Sequence, residues 1–135
     1  IMLAKNFKWS LSVVYVIDTS TIKELLLSKI FIEEESKDFE MDLEANGKRY
    51  LDYVEELAES KGVKLVRILK RGAVSTMILE TADETEADII FLGAWALNRP
   101  KNDLLTRQHL DIIRDAQKPV LLVKEEDVET LFKRF

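Results

Sequence analysis

The sequence predicts an α/β domain built on an open, mostly parallel, doubly wound sheet. Two short apolar runs, residues 89–92 and Val120–Val123, are bounded by polar or turn residues and have the length of strands. Runs of this kind are typical of strands that helices cover on both faces. The segment between them carries a helical pattern, and a strand, a helix and a parallel strand form a right-handed crossover. Ligands bind such sheets at the carboxyl ends of the strands, so we expect the binding region in residues 93–107.

The composition sets the outer limits of the function. The chain has 135 residues, of which 47% are hydrophobic and 33% charged, and this is the size of one domain over residues 1–135. The formal net charge is −5 without a basic block, so we do not expect nucleic acid as a partner. No apolar run approaches the ~20 residues that a membrane helix needs. The absence of cysteine excludes disulfides and thiolate chemistry and fits a cytoplasmic protein.

The start of the chain predicts a helix, a strand and a second helix. Residues 1–9 have the pattern of the last turns of a helix, and residues 11–17 form a β-branched run that ends at Asp18. Thr21 and Glu24 have the spacing of a capping box. The next helix is therefore expected to begin at this pair.

The middle of the chain predicts one long helix. Residues 29–32 fit a helix or a strand, but from Glu33 to the expected stop at Gly62 the periodicity is helical. The glutamates of the first turn favour a solvated helix start over an acidic binding site. The side chains expected on the buried face are Leu43, Tyr50, Leu51, Val54, Leu57 and Ala58.

The second half of the chain continues the alternation of strands and helices. Residues 63–70 alternate apolar and basic side chains, as a charge-protected edge strand does, and a basic stripe facing a ligand is the alternative. Gly72 is expected to turn the chain into a helix, and Asp103 to cap the one after it. Residues 127–135 form an amphipathic tail. The residues expected to face the sheet from the helix after Asp103 are Leu105, Ile112, Ile113 and Ala116.

Four segments carry a resemblance to a known family: residues 11–18, 72–78, 87–93 and 116–123. Together they resemble the universal stress protein family over nearly the whole chain. The resemblance implies a Rossmann-like, five-stranded parallel sheet of order 3-2-1-4-5 and a homodimer formed through the last strand. Many members bind ATP, whereas others do not and act in stress response or regulation without known chemistry.

The first strand of the family has no counterpart in this sequence. Residues 1–5 match the end of the family's first helix, so the acidic residue of that strand, an adenine contact, is also absent. We expect residues upstream of Ile1 to supply the central strand, and the alternative is that residues 29–32 occupy its place.

The nucleotide motif of the family keeps its spacing here but loses its residues. ATP-binding members carry Gly-x-x-Gly, nine residues, and then Gly-Ser or Gly-Thr. At the corresponding positions this chain has Gly93, Ala96, Thr106 and Arg107, and the family's second-strand adenine contact corresponds to Val16. A β-branched residue such as threonine rarely adopts a positive φ, so we expect the phosphate cradle to be lost. The cleft is then vestigial, and ATP binds weakly or not at all.

Three functions remain open on this basis. The favoured one is a non-enzymatic universal stress protein-like domain that acts in stress response or regulation and has no cofactor. The first alternative is a protein that binds ATP, or hydrolyses it slowly, and in which Arg107 holds the phosphate. The second alternative is a regulatory or interaction domain of a larger protein such as a transporter. No catalytic or metal-binding set is visible, because a lone His109 fits a satisfied, half-buried core histidine better than a catalytic base.

The last predicted strand is the expected dimer interface. It ends the sheet order, and an apolar edge strand pairs readily with another chain. A two-fold axis beside it would join two copies and let both tails pack across the partner, and the alternative is a tail that covers its own subunit. The residues expected at this interface are Pro119, Val120, Leu121, Leu122 and Val123.

Overall fold

The computed structural model describes residues 1–93, 106–124 and 127–134, without the side chain of Val128. Tertiary contacts divide the chain into two compact units, Ile1–Met77 and Ile78–Phe135. The elements in chain order are α1 (Met2–Phe7), β1 (Leu11–Asp18), α2 (Thr19–Leu27), α3 (Glu33–Ser60), β2 (Leu65–Gly72), α4 (Val74–Glu84), β3 (Ile90–Gly93), α5 (Arg107–Asp115), β4 (Val120–Val123) and α6 (Val128–Arg134). The alternation of strands and helices confirms the α/β class.

The first unit contains a parallel pair of strands. β1 and β2 run in register from Leu11 opposite Leu65 to Asp18 opposite Gly72. The long helix α3 packs on this pair, and Gly47 faces the ring of Tyr15 on β1. A Cβ atom at Gly47 would lie 2.5 Å from Cδ1 of Tyr15. The close approach of helix and strand therefore depends on the glycine.

Ion pairs hold α3 against β2. Arg67 donates to Glu55 at 2.8 Å and also to Asp52, and Arg71 contacts Glu40 at 2.6 Å and Glu44 at 2.7 Å. Arg67, a member of the predicted basic stripe, is thus committed to carboxylates of its own unit. This arrangement favours the edge-strand interpretation over a stripe that faces a ligand.

The second unit contains another parallel pair and its own core. β3 and β4 run in register from Ile90 opposite Val120 to Gly93 opposite Val123. Ala82, Ile90, Leu92 and Ile112 form the buried cluster. Along both strands, however, more buried residues alternate with exposed ones, and Phe91 remains 40% exposed. The prediction that these strands are buried on both faces is therefore wrong for the described residues, because α4 and α5 supply the core of one face only.

The sheets differ in part from the expected order. Among the described residues the strands form two two-stranded sheets, β1-β2 and β3-β4. The five-strand order 3-2-1-4-5 and the single domain over residues 1–135 stay predictions. Residues 29–32 form turns and no strand, with Lys29 at a φ of 58°. The alternative that they fill the central position is wrong.

One local prediction is wrong because a nearby residue competes better for the helix cap. The side chain of Asp18 accepts hydrogen bonds from the backbone N–H of Thr21 at 3.0 Å and from its hydroxyl at 2.7 Å. α2 therefore begins at Thr19 with Asp18 as its cap, and Thr21 and Glu24 are not a capping box. Gly72, expected to turn the chain into a helix, is the last residue of β2 with a φ of 143°, and α4 begins two residues later at Val74, so this prediction is confirmed.

Among the described residues, the two predicted helix faces are buried or half-buried except for one residue each, Tyr50 in α3 and Ile113 in α5. Tyr50 is 62% exposed, whereas Leu51 and Ala58 are buried as predicted. The buried face of α3 includes Gly47, which faces the ring of Tyr15, and Tyr50 lies outside this face. In α5, Ile112 is buried but Ile113 is 41% exposed. Leu105 and Asp103, the expected cap, lie outside the described residues.

Candidate functional site

The candidate site contains the positions that the nucleotide motif assigns to the second unit. Gly93 ends β3, Thr106 immediately precedes α5, and Arg107 is the first residue of that helix. Ala96 lies outside the described residues. Val16 belongs to the first unit, where it is half-buried on β1 and pairs with Lys70.

Thr106 has a conventional helix-capping conformation. Its φ of −82° and ψ of 168° are extended, which any residue adopts. This agrees with the expectation that a β-branched residue does not adopt a positive φ at this position. The Thr106 hydroxyl accepts a hydrogen bond from the backbone N–H of His109 at 3.2 Å. The third glycine position of the motif is therefore an N-cap in this chain.

His109 completes the cap from the other side. Its Nδ1 accepts the backbone N–H of Thr106 at 2.9 Å and lies 2.7 Å from the Thr106 hydroxyl. Such reciprocal bonding is a capping box, in which an imidazole takes the place usually filled by glutamate or glutamine. The backbone N–H of Thr106 is thus already engaged.

The same imidazole contacts the end of β3. Its Nε2 lies 2.7 Å from the carbonyl oxygen of Gly93. Because a carbonyl only accepts, Nε2 carries the proton, and the neutral tautomer leaves Nδ1 as the acceptor for Thr106. His109 is half-buried and bonded at both ring nitrogens, which agrees with a satisfied core histidine. The imidazole therefore connects Gly93, at the first motif position, with Thr106, at the third.

This bridge was not predicted, although the sequence contains a signal for it. Thr106 and His109 have the spacing of a capping box, and the expected cap was instead Asp103. A rule that admits histidine at the third helical position would have found the pair. The contact of His109 with Gly93 has no local signal, because 16 residues separate the two.

The glycine at the first motif position has no steric requirement in this structure. A Cβ atom added to Gly93 would have no heavy atom of the described residues within 4 Å. Its φ is not in the left-handed region, where only Gly62 and Gly72 are found among the described glycines. Gly93 therefore keeps the identity of the motif but not a conformation that demands glycine.

Arg107 is the basic residue at this site. Its side chain is exposed at the amino end of α5, where the helix dipole adds positive potential. Among the described residues, no carboxylate forms an ion pair with it. The arrangement allows an anion to meet a guanidinium, but the nearest motif N–H group, that of Thr106, already serves His109.

The side chains of β4, the predicted dimer strand, point alternately to solvent and to the core of their own unit. Leu121 and Val123 are 44% and 42% exposed, and β4 pairs only with β3 in the part of the chain that the structure describes. Val120 and Leu122 pack against the core of their own unit. Pro119 is exposed, and its carbonyl accepts the N–H of Ile90 at 2.9 Å. The outward side chains of β4 are thus the candidates for contact with a second copy.

Two further features of the structure concern function classes. No group of three or more histidine, cysteine, aspartate or glutamate side chains that could hold a metal is found among residues 1–93, 106–124 and 127–134. Over the same residues, no helix combines the length and the apolar character needed to cross a membrane.

Comparisons with known proteins agree on one family. The model of the universal stress protein family matches residues 1–124. Universal stress protein MJ0531 of Methanocaldococcus jannaschii is 29% identical over 136 aligned positions, which cover 96% of this chain and 73% of that protein. Universal stress protein MJ0577 of the same organism is 27% identical, over 84% of this chain and 75% of that protein.

Solved structures show the same fold. The structure of protein MJ0577 superposes with a TM-score of 0.71 at 26% identity and covers 93% of this chain and 85% of its own. Universal stress protein UspA from Lactobacillus plantarum superposes with a TM-score of 0.69 over 91% of this chain and 83% of its own. At 18% identity, the second comparison concerns the fold alone.

Proposed function

Since this chain belongs to the universal stress protein family, we propose that it is a non-enzymatic regulatory or stress-response domain with a degenerate nucleotide cleft. ATP binds it weakly or not at all, and a cytoplasmic location fits its lack of cysteine. The domain then acts through contacts with other proteins rather than through turnover of a substrate.

One observation carries this proposal. The backbone N–H of Thr106, at the third glycine position of the motif, donates to His109 Nδ1 at 2.9 Å. Phosphate cradles work by directing several free backbone N–H groups at one anion. To bind phosphate here, the chain would have to break the capping box and accept an unpaired imidazole. At this position the backbone N–H thus belongs to a helix cap, whereas a phosphate cradle would need it as a free donor.

The neighbouring position supports the same conclusion. A hydroxyl at the start of α5, which ATP-binding relatives supply as serine or threonine, is replaced by the longer guanidinium of Arg107. The guanidinium offers charge, but its flexible stem lacks the fixed geometry of a backbone cradle. Restoring the motif therefore needs more than one substitution.

Titration calorimetry with ATP and magnesium tests the proposal. We expect no micromolar binding by the wild-type chain and a gain of binding in the variant Ala96→Gly/Thr106→Gly/Arg107→Ser, which restores the motif. His109→Thr added to this variant removes the competing acceptor and should strengthen the gain. The single variant Ala96→Gly is the matched control. Micromolar binding by the wild type would contradict the proposal.

Arg107 gives a second candidate function a physical basis. Its exposure at the amino end of a nine-residue helix suits a protein that holds the phosphates of ATP by a side chain instead of the backbone. Under this alternative the wild type binds ATP, Arg107→Ala abolishes binding, and Arg107→Lys weakens it. If the wild type binds ATP and Arg107→Ala binds it equally well, this alternative is wrong, because the phosphates are then held by other groups.

We also propose a homodimer built on β4, with the tail contributing through α6. The exposure of Leu121 and Val123 supports it, because outward apolar side chains on a strand with an unpaired edge favour pairing with another copy. Leu131 and Phe132 are half-buried on α6, while Phe135 lies outside the described residues. Leu122 packs on its own core, so Leu121 is the better position for an interface substitution.

A further inference from the structure

A groove lies between α2 and the first turns of α3, within the first unit. Its volume is about 300 Å³, which is at the small end of the range of ligand sites. No motif position of the nucleotide cleft lines it. The side chains that matter for its chemistry are Thr19, Ile22, Lys23 and Leu26 on α2, and Ser36 and Lys37 on α3.

Ser36 is the residue that singles this groove out. It is 5% exposed, and none of the described residues hydrogen-bonds its hydroxyl. Its backbone N–H donates to the carbonyl of Ile32 at 3.0 Å in the ordinary helical manner. An unpaired buried hydroxyl costs more free energy than an ordinary hydrogen bond contributes, and such groups in native proteins call for a partner. The groove that Ser36 lines is where this partner would lie.

The charged side chains that line the groove favour a small anion. Lys23 and Lys37 are exposed at its rim, and neither forms an ion pair with any described carboxylate. Glu40 also lines the groove, but its carboxylate is neutralised by Arg71 at 2.6 Å. Glu33 is then the one lining carboxylate left without an ion pair among the described residues. Among the side chains that line the groove, two ammonium groups against one unpaired carboxylate leave a net positive charge, which suits a monoanion better than a dianion.

The remaining wall of the groove is apolar. Ile22 is 4% exposed, and Leu26, one turn further along α2, is half-buried. A ligand that covers these side chains gains from burying its own apolar surface. The occupant therefore combines a single negative charge with a short hydrocarbon portion.

We infer that this groove binds a small aliphatic carboxylate. Its carboxylate lies between the ammonium groups of Lys23 and Lys37 and accepts a hydrogen bond from the hydroxyl of Ser36. Its hydrocarbon portion covers Ile22 and Leu26. This site is independent of the nucleotide cleft, so the result of the ATP titration does not bear on it.

Titration of the full chain with isocaproate tests the inference, using ¹H–¹⁵N correlation spectra. We expect saturable shifts at the amides of Thr19, Ser36 and Lys37. Lys23→Gln and Lys37→Gln should each weaken binding roughly tenfold, because each removes a charge-assisted hydrogen bond. Lys64→Gln, a change at an exposed lysine outside the groove, is the matched control and should leave the affinity unchanged.

Ser36→Ala distinguishes a ligand-binding hydroxyl from a structural one. It should weaken isocaproate binding about fivefold. Without ligand it should leave Tm unchanged or raise it, since the orphan hydroxyl is gone and alanine is the better helix former. A lower Tm would show that the hydroxyl has a partner within the protein and would overturn the inference.

Two ligand controls complete the test. Isoamylamine, with similar hydrocarbon but a positive charge, should not shift the groove amides, and inorganic phosphate should not displace isocaproate. If the amine binds as well as the carboxylate, or if millimolar isocaproate produces no saturable shift, the inference is wrong. Displacement by phosphate would also overturn it, because it would show a general anion site.

Discussion

Replacing His109 with alanine should uncouple the start of α5 from the end of β3. The substitution removes the acceptor of the Thr106 N–H and the donor to the Gly93 carbonyl, which lie at 2.9 Å and 2.7 Å from the ring nitrogens. Loss of a cap interaction costs about 1 kcal/mol. Loss of a hydrogen bond whose partner stays within reach of water costs roughly another 1 kcal/mol.

The free energy of unfolding should therefore fall by about 2 kcal/mol. For a chain of this length, this corresponds to a decrease in Tm of roughly 6–10 °C. Urea denaturation followed by circular dichroism gives the free energy, and amide hydrogen exchange gives the protection of the Thr106 N–H. We expect that amide to lose protection together with the global stability.

Two further substitutions separate the two bonds of the imidazole. His109→Glu keeps an acceptor for Thr106 but cannot donate to Gly93, so it should recover about half of the loss. Thr106→Ala removes the side-chain half of the cap and keeps the Gly93 contact. If His109→Ala changes the free energy of unfolding by less than about 0.5 kcal/mol, the bridge does not stabilise the site, and the argument that it displaces a phosphate cradle is refuted.

Three other predictions follow from packing, charge and exposure. Gly47→Ala should destabilise the chain by roughly 1–2 kcal/mol in urea, because the clash with the Tyr15 ring at 2.5 Å outweighs the better helix propensity of alanine; a more stable variant would show that the ring moves freely. Hydrogen bonds from Arg71 and Lys48 lower the pKa of the Glu44 carboxyl below its ordinary value of 4.5. The stability that Glu44 contributes is therefore present above this value and is lost as the pH falls through the lowered pKa. In an acid titration, the free energy of unfolding of Glu44→Gln should decrease less steeply than that of the wild type. Identical curves would contradict the role of Glu44 in this ion pair. Light scattering should give twice 15.6 kDa for the wild type and a shift toward monomer for Leu121→Asp; a monomeric wild type at high micromolar concentration would contradict the dimer.

The sequence by itself determined the class of fold, the family and the positions of three strands, whereas β2 lies two residues later than the predicted 63–70. The β-branched run of β1 and the apolar runs of β3 and β4 have the length and composition of strands, and the structure has strands there, ending within one residue of the predicted bounds. The weakened nucleotide motif was also visible, because the spacing between Gly93 and Thr106 is a property of the chain alone. Patterns of this kind depend only on neighbouring residues in the sequence, so they can be recognised without knowing which distant segment each element packs against.

The tertiary structure decided which of several locally acceptable choices the chain adopts. Asp18 caps α2 in place of Thr21 because β1, which pairs with the distant strand β2, ends at Asp18 and lets the helix begin at the next residue. Tyr50 lies outside and Leu51 inside because α3 approaches β1 through Gly47, a contact between residues far apart in sequence. The same holds for His109, whose Thr106 bond is encoded by a spacing of three residues but whose Gly93 bond exists only because α5 packs beside β3. Helix periodicity and capping spacings are encoded by neighbouring residues in the sequence. Contacts between distant residues instead depend on the packing that brings the two segments together.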